Sequence, residues 1–221
     1  LQIQYFTSRG FAVVDMNYRG STGFGRAYRQ KMYGAWGVVD TQDCVAAAEH
    51  LIAQDRVDRY RIASRGGSSG GYTTLALATF TDLLTAAASY YGISNLEMIA
   101  TDTDKLEAHY AELLVGPWPR AKKVFKERSP LFHVHDFTCP MIIFQGLDDP
   151  VVPPDQAQVM IDALLTAGLP VSSTFFAGES HGFKMRKNII AALEQELVFY
   201  GSVMGFNPAG DLTQPEIKNW P

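Results

Sequence analysis

The stretch RIASRGGSSGGYTT, residues 61–74, decides the fold. RVDRYRIAS leads into a strand at about residues 60–64, four glycines, Gly66, Gly67, Gly70 and Gly71, then punctuate the chain, and YTTLALATF opens as a helix. Strand, glycine-rich turn and helix in that order form the setting of a nucleophile elbow. There a serine sits on a sharp bend and glycines let neighbouring backbone pass close by. The serine would then stand at a helix N-terminus, whose free amides favour developing negative charge. Two registers of Gly-x-Ser-x-Gly fit: Gly66 and Gly70 frame Ser68, whereas Gly67 and Gly71 frame Ser69. Sterics alone do not separate them, and outside a strand-to-helix context the same residues would be a plain Gly/Ser loop.

Outward from the elbow, short apolar runs alternate with amphipathic segments. FAVVDMNY (11–18) reads as a strand closed by the turn at Arg19-Gly20, and residues 38–54 carry apolar side chains at helical spacing. LLTAAASYYG (83–92), PMIIFQG (140–146) and VSSTFFAG (171–178) read as strands. Residues 153–168 read as a helix with Pro in its first turn and Gly after its end, and 188–205 as a closing amphipathic helix. Residues 93–138 are less regular, and the tail from Asn207 is rich in Pro and Gly. Strands alternating with helices imply an α/β fold, a mostly parallel sheet with helices on both faces. Ligands on such sheets bind beyond the carboxyl ends of the strands.

An elbow serine needs a base, and the base needs a carboxylate. In the α/β-hydrolase fold they follow in the order Ser, Asp or Glu, His. QGLDDPVVPP supplies Asp148 and Asp149 after a late strand, and GESHGF supplies His181 after the last one. A neutral imidazole can take the serine proton, and a carboxylate then holds its tautomer. Taken singly, the aspartates could cap the helix that follows and His181 could be a loop residue. Their agreement in order and topology with the elbow is what favours a triad. His50, His109, His133 and His135 have no such placement, and the isolated His-Val-His pair does not suggest a metal site.

Composition excludes other classes. With 47% hydrophobic and 19% charged residues the chain is globular rather than disordered. A net charge of −4 leaves no basic footprint for nucleic acid. No apolar run reaches the ~18 residues of a membrane span. Cys44 and Cys139 lack metal-ligand spacing and read as reduced thiols, which points to a cytoplasmic protein. Triad chemistry needs no cofactor or metal, so none is expected, and GGSSGG lacks the Lys of a phosphate-binding loop, which argues against nucleotide binding.

FAVVDMNYRGSTGFGRAYRQ, WGVVDTQDC, RGGSSGGYTT, QGLDDPVVPP and GESHGF together resemble the catalytic domain of the prolyl oligopeptidase family of serine peptidases, over roughly residues 1–206. That family includes dipeptidyl peptidases and acylaminoacyl peptidases. The resemblance implies Ser68 as nucleophile, Asp149 as acid and the Ser69 backbone N–H as an oxyanion donor. It also implies Tyr90 and Tyr91 in the substrate pocket, although packing at a strand end explains the pair equally well. It implies small peptide substrates and an N-terminal β-propeller, and leaves homo-oligomerisation open. The strand that supplies the family's second oxyanion donor is not in these 221 residues. Hence 1–206 is expected to be a partial α/β-hydrolase domain with N-terminal strands missing, 207–221 a tail, and the piece by itself inactive or poorly stable. The triad alone does not distinguish a peptidase from a carboxylesterase, and its completeness argues against a non-catalytic interaction module.

Overall fold

A computed structural model describes residues 1–101 and 110–221. Four strands form one sheet among these residues: β1 (Ala63–Gly67), β2 (Ala86–Tyr90), β3 (Met141–Gly146) and β4 (Val171–Phe176). They are parallel and lie side by side in chain order, with Ala63 opposite Ala86, Ala87 opposite Met141, and Met141 opposite Val171. Five helices flank them: α1 (Gln2–Thr7), α2 (Val39–Ala53), α3 (Ser69–Phe80), α4 (Asp155–Thr166) and α5 (Arg186–Met204). This is the parallel sheet with helices on both faces that the alternation predicts, and it is consistent with the α/β-hydrolase fold.

The two-residue period of a strand divides the core in two. Met141 and Ile143 of β3 face a cluster with Leu75 and Leu77 of α3 and Met160, Ile161 and Leu164 of α4. Ile142 and Phe144 face the opposite side, with Phe6 of α1 and Leu193, Leu197 and Tyr200 of α5. With both faces covered, β2 and β3 are buried at every position. That explains why they read as unbroken apolar runs rather than alternating ones. A third cluster, with Trp36, Tyr72, Leu96, Phe125 and Val152, joins the irregular stretch to α3. That stretch contains short helices at Leu96–Thr101, Tyr110–Val115 and Lys122–Glu127. His109 lies outside the described residues.

Three local expectations need correction. Residues 11–18 pair with no strand among the described residues, and Val13 and Val14 are 38% and 55% exposed. A β-branched run becomes a strand only where a neighbour offers hydrogen-bonding partners, and none stands beside it. Its end is held instead by the Arg19–Asp43 ion pair at 2.7 Å. β1 begins at Ala63, because Asp58 accepts the Tyr60 N–H at 2.9 Å and caps a helical turn over Arg59–Arg61. α3 begins at Ser69, three residues before the apolar run, because its glycines form the first turn rather than a loop. The tail is mostly exposed, but Lys218 exchanges two backbone hydrogen bonds with Val171 at the outer edge of β4.

Candidate active site

The elbow is built from backbone constraints. Ser68 closes β1 and caps α3 with φ 56° and ψ −120°, a conformation few non-glycine residues adopt. The bend brings α3 back over the strand so closely that a Cβ on Gly66 would lie 2.3 Å from the Gly70 carbonyl oxygen. A Cβ on Gly71 would lie 2.7 Å from Gly92 Cα. The Ser68 N–H donates to the Tyr90 carbonyl at 2.9 Å, which fixes the strained residue to the end of β2.

His181 is brought to it from the loop after β4. His181 Nε2 lies 2.8 Å from Ser68 Oγ, and His181 Nδ1 lies 2.8 Å from Asp149 Oδ2. Asp149, buried in the loop after β3, accepts the N–H groups of Val151 and Val152 on Oδ1, each at 2.9 Å. An ionised carboxylate only accepts, so Nδ1 carries the imidazole proton and Nε2 presents a lone pair to the Ser68 hydroxyl. Asp148, by contrast, is exposed, and its N–H donates to the Glu179 carbonyl at 2.9 Å. Ser69 holds the first position of α3, where its N–H has no carbonyl one turn earlier in the helix to meet. His50 and His135 are exposed, and His133 sits 3.5 Å from Asp136 against the Phe80 ring. Geometry therefore gathers Ser68, Asp149 and His181, and leaves Asp148 and these other histidines outside.

The two tyrosines part ways. Tyr90 is buried and its hydroxyl donates to Glu196, whereas Tyr91 lies edge-on against His181 with ring centroids 4.9 Å apart. Burial raises both phenols above their usual range, with the Glu196 carboxylate adding to the effect at Tyr90. Both line a cleft of about 440 Å³ together with Gly182 and Phe183.

Several residues around the site carry no local sequence signal. Gln145 donates through Nε2 to the Gly146 and Val152 carbonyls at 3.1 Å and reaches Asp149 Oδ2 at 3.4 Å. Glu196, fully buried, pairs with Arg65 at 2.8 Å just ahead of the elbow and also accepts Tyr200 at 2.9 Å. Asp40, also fully buried, accepts the Thr73 hydroxyl at 2.6 Å and the Gly37 N–H at 2.7 Å. Burial raises the Asp40 pKa despite those hydrogen bonds. No group of three His, Cys, Asp or Glu converges as a metal site among the described residues.

Comparison with known proteins settles the lineage. The family model described as prolyl oligopeptidase family matches residues 1–207. The chain belongs to this family. It is similar to dipeptidyl aminopeptidase BIII of Pseudoxanthomonas mexicana, with 33% identity over 84% of this chain and 28% of that protein. Among solved structures it is similar to a puromycin-hydrolyzing peptidase of Mycobacterium tuberculosis, with 46% identity, a TM-score of 0.96, and coverage of 98% of this chain and 33% of that one. A Pyrococcus horikoshii acylaminoacyl peptidase superposes with a TM-score of 0.86 at 25% identity, covering 95% of this chain and 35% of that one. The chain thus spans about a third or less of the length of these relatives.

Proposed function

We propose that these residues are the catalytic portion of a serine peptidase that cleaves amide bonds of short peptides through an acyl-enzyme on Ser68. The observation that carries this reading is the continuous hydrogen-bonded chain from Ser68 through His181 to Asp149, 2.8 Å at each link. In the first half-reaction Ser68 Oγ attacks the scissile carbonyl while His181 Nε2 takes its proton. The imidazolium, stabilised by Asp149, then gives that proton to the departing amine. Water repeats the sequence against the acyl-enzyme, releasing the acid and restoring the serine. The Ser69 N–H donates to the oxyanion in this reading, which its position at the first residue of α3, the positive end of the helix, supports. Tyr91, packed against the base, is the better candidate of the two tyrosines for contact with substrate; Tyr90 supports it from the core. The greater length of the relatives supports a further domain in the whole protein, for which a gating β-propeller is the expectation.

The test is covalent labelling of the full-length protein with a fluorophosphonate, comparing Ser68→Ala with Ser69→Ala. Loss of labelling in Ser68→Ala alone is expected, and labelling that survives in Ser68→Ala overturns the assignment. Release of amine from peptide p-nitroanilides and from puromycin, named for the mycobacterial relative, then separates peptidase from esterase. Turnover of p-nitrophenyl esters alone would reject the peptidase reading.

A further inference from the structure

The loop that carries His181 runs from β4 to α5, and Phe183 anchors it against the Tyr91 and Phe176 rings. Gly178, Ser180, Gly182 and Lys184 are small or polar and leave the stretch around His181 to be held by hydrogen bonds. Its shape is nevertheless closely defined. Ser180 and Gly182 form an antiparallel bridge around His181. Two residues before the histidine stands Glu179, only 1% exposed. Its carboxylate turns forward beneath the loop. Oε2 accepts the Lys184 N–H at 2.8 Å, and Oε1 accepts the Met185 N–H at 2.8 Å and the Asn188 side-chain amide at 2.9 Å. Met185 caps α5 and Asn188 lies in its first turn, so the carboxylate ties the loop to a rigid helix start. Its main-chain carbonyl points the other way and accepts the Asp148 N–H at 2.9 Å, one residue before the acid. On that side Gly146 leaves no space: a Cβ there would lie 2.4 Å from the Glu179 oxygen.

We propose that Glu179 is a positioning residue that clamps the acid loop and the base loop together and thereby holds His181 at 2.8 Å from both Ser68 and Asp149. The chemistry suits the task. Three N–H donors converge on one side chain, and a carboxylate satisfies all three because it only accepts. Burial works against ionisation, but the Lys184, Asn188 and Met185 hydrogen bonds outweigh it and hold the carboxyl below its usual range. A glutamine of nearly equal shape must point an NH₂ at one of those donors. The loop then retains its packing and loses part of the clamp. Because catalysis needs its reacting atoms held within a fraction of an ångström, that loss falls on turnover rather than on substrate binding.

This inference rests on the hydrolase reading of Ser68 and is tested so that the two can fail separately. Glu179→Gln and Glu179→Ala are made in the full-length protein, with peptide p-nitroanilide kinetics, thermal melts, and the low-field proton NMR signal of His181 Nδ1–H as readouts. The Gln variant is expected to lose about tenfold and the Ala variant about a hundredfold in kcat, each with KM within about twofold. The Nδ1–H signal is expected to shift and broaden. Lower melting temperatures with wild-type kcat and an unchanged Nδ1–H signal would overturn the proposal and leave Glu179 a purely structural residue. If the Ala variant does not fold, the Gln variant decides. If the wild type turns over no substrate, the hydrolase reading falls, while the Nδ1–H signal, which needs no turnover, still decides whether Glu179 holds the histidine.

Discussion

Replacing Asp149 by Asn probes the least replaceable feature of the site, the direction of the hydrogen-bonded chain. Oδ1 accepts two backbone N–H groups, from Val151 and Val152, while Oδ2 faces His181 Nδ1. In the variant the amide oxygen must stay on the backbone side. Turning it round would leave two N–H groups unpaired, at about 1–3 kcal/mol each. The NH₂ therefore faces His181 and donates to Nδ1. The imidazole must then carry its proton on Nε2, pointing at Ser68 Oγ, where no lone pair remains to take the hydroxyl proton. A base locked in the wrong tautomer costs roughly 10⁴-fold in turnover, or about 5.4 kcal/mol at 1.36 kcal/mol per factor of ten. The fold should barely respond, since size and backbone partners are kept. The assay is kcat/KM on a peptide p-nitroanilide, with the rate of fluorophosphonate labelling of Ser68, both in full-length protein, and urea unfolding as a control. Activity within tenfold of wild type, in a folded Asp149→Asn protein, would refute the reasoning that Asp149 sets the His181 tautomer.

Two further expectations concern the frame of the site. Gly66→Ala places a methyl 2.3 Å from the Gly70 carbonyl, backbone against backbone. It should cost about 3 kcal/mol or more in chemical denaturation and abolish Ser68 labelling, whereas Gly70→Ala, with open space around it, should not clash. Asp40 has its pKa raised by burial, so its contribution to stability is fully present below its unfolded pKa and is lost as pH rises through the folded one. Asp40→Asn lacks that loss, and its stability deficit relative to wild type should shrink as pH rises above the ordinary carboxylate range, from about pH 4 upward; a deficit that grows with rising pH would reverse the sign of the argument.

Much of this protein is legible locally. The strand–glycine–helix pattern at 61–74, the apolar runs of β2, β3 and β4, and the order serine, aspartate, histidine all follow from short-range rules. So do the ends of the strands as the place for chemistry. Spacing alone left two serines and two aspartates in contention, and the family pattern chose between them. The geometry makes the same choice by different means: a histidine 113 residues away reaches Ser68 Oγ, and its other nitrogen meets Asp149 rather than Asp148.

The remainder lies beyond local reading because it depends on partners distant in sequence. Residues 11–18 have the composition of a strand, yet pairing requires an adjacent ladder, and Val13 and Val14 face outward instead. Glu196 meets Arg65 across 131 residues and Asp40 meets Thr73 across 33, so each buried carboxylate looks like an ordinary surface acid until the chain folds. Tyr90 and Tyr91 are neighbours in sequence, but Tyr90 is the last residue of β2 and Tyr91 begins the turn after it with φ 38°, so one side chain goes to Glu196 in the core and the other to the base. By itself the sequence determined the type of fold and the kinds of residue that carry the chemistry, because periodicity and turn preference act over a few residues. Only the tertiary structure decided that Tyr90 and Tyr91 part ways, that Glu196 and Asp40 are buried beside the elbow, and that Glu179 joins the loops of acid and base, because hydrogen bonds between distant segments exist only once the sheet has brought them together.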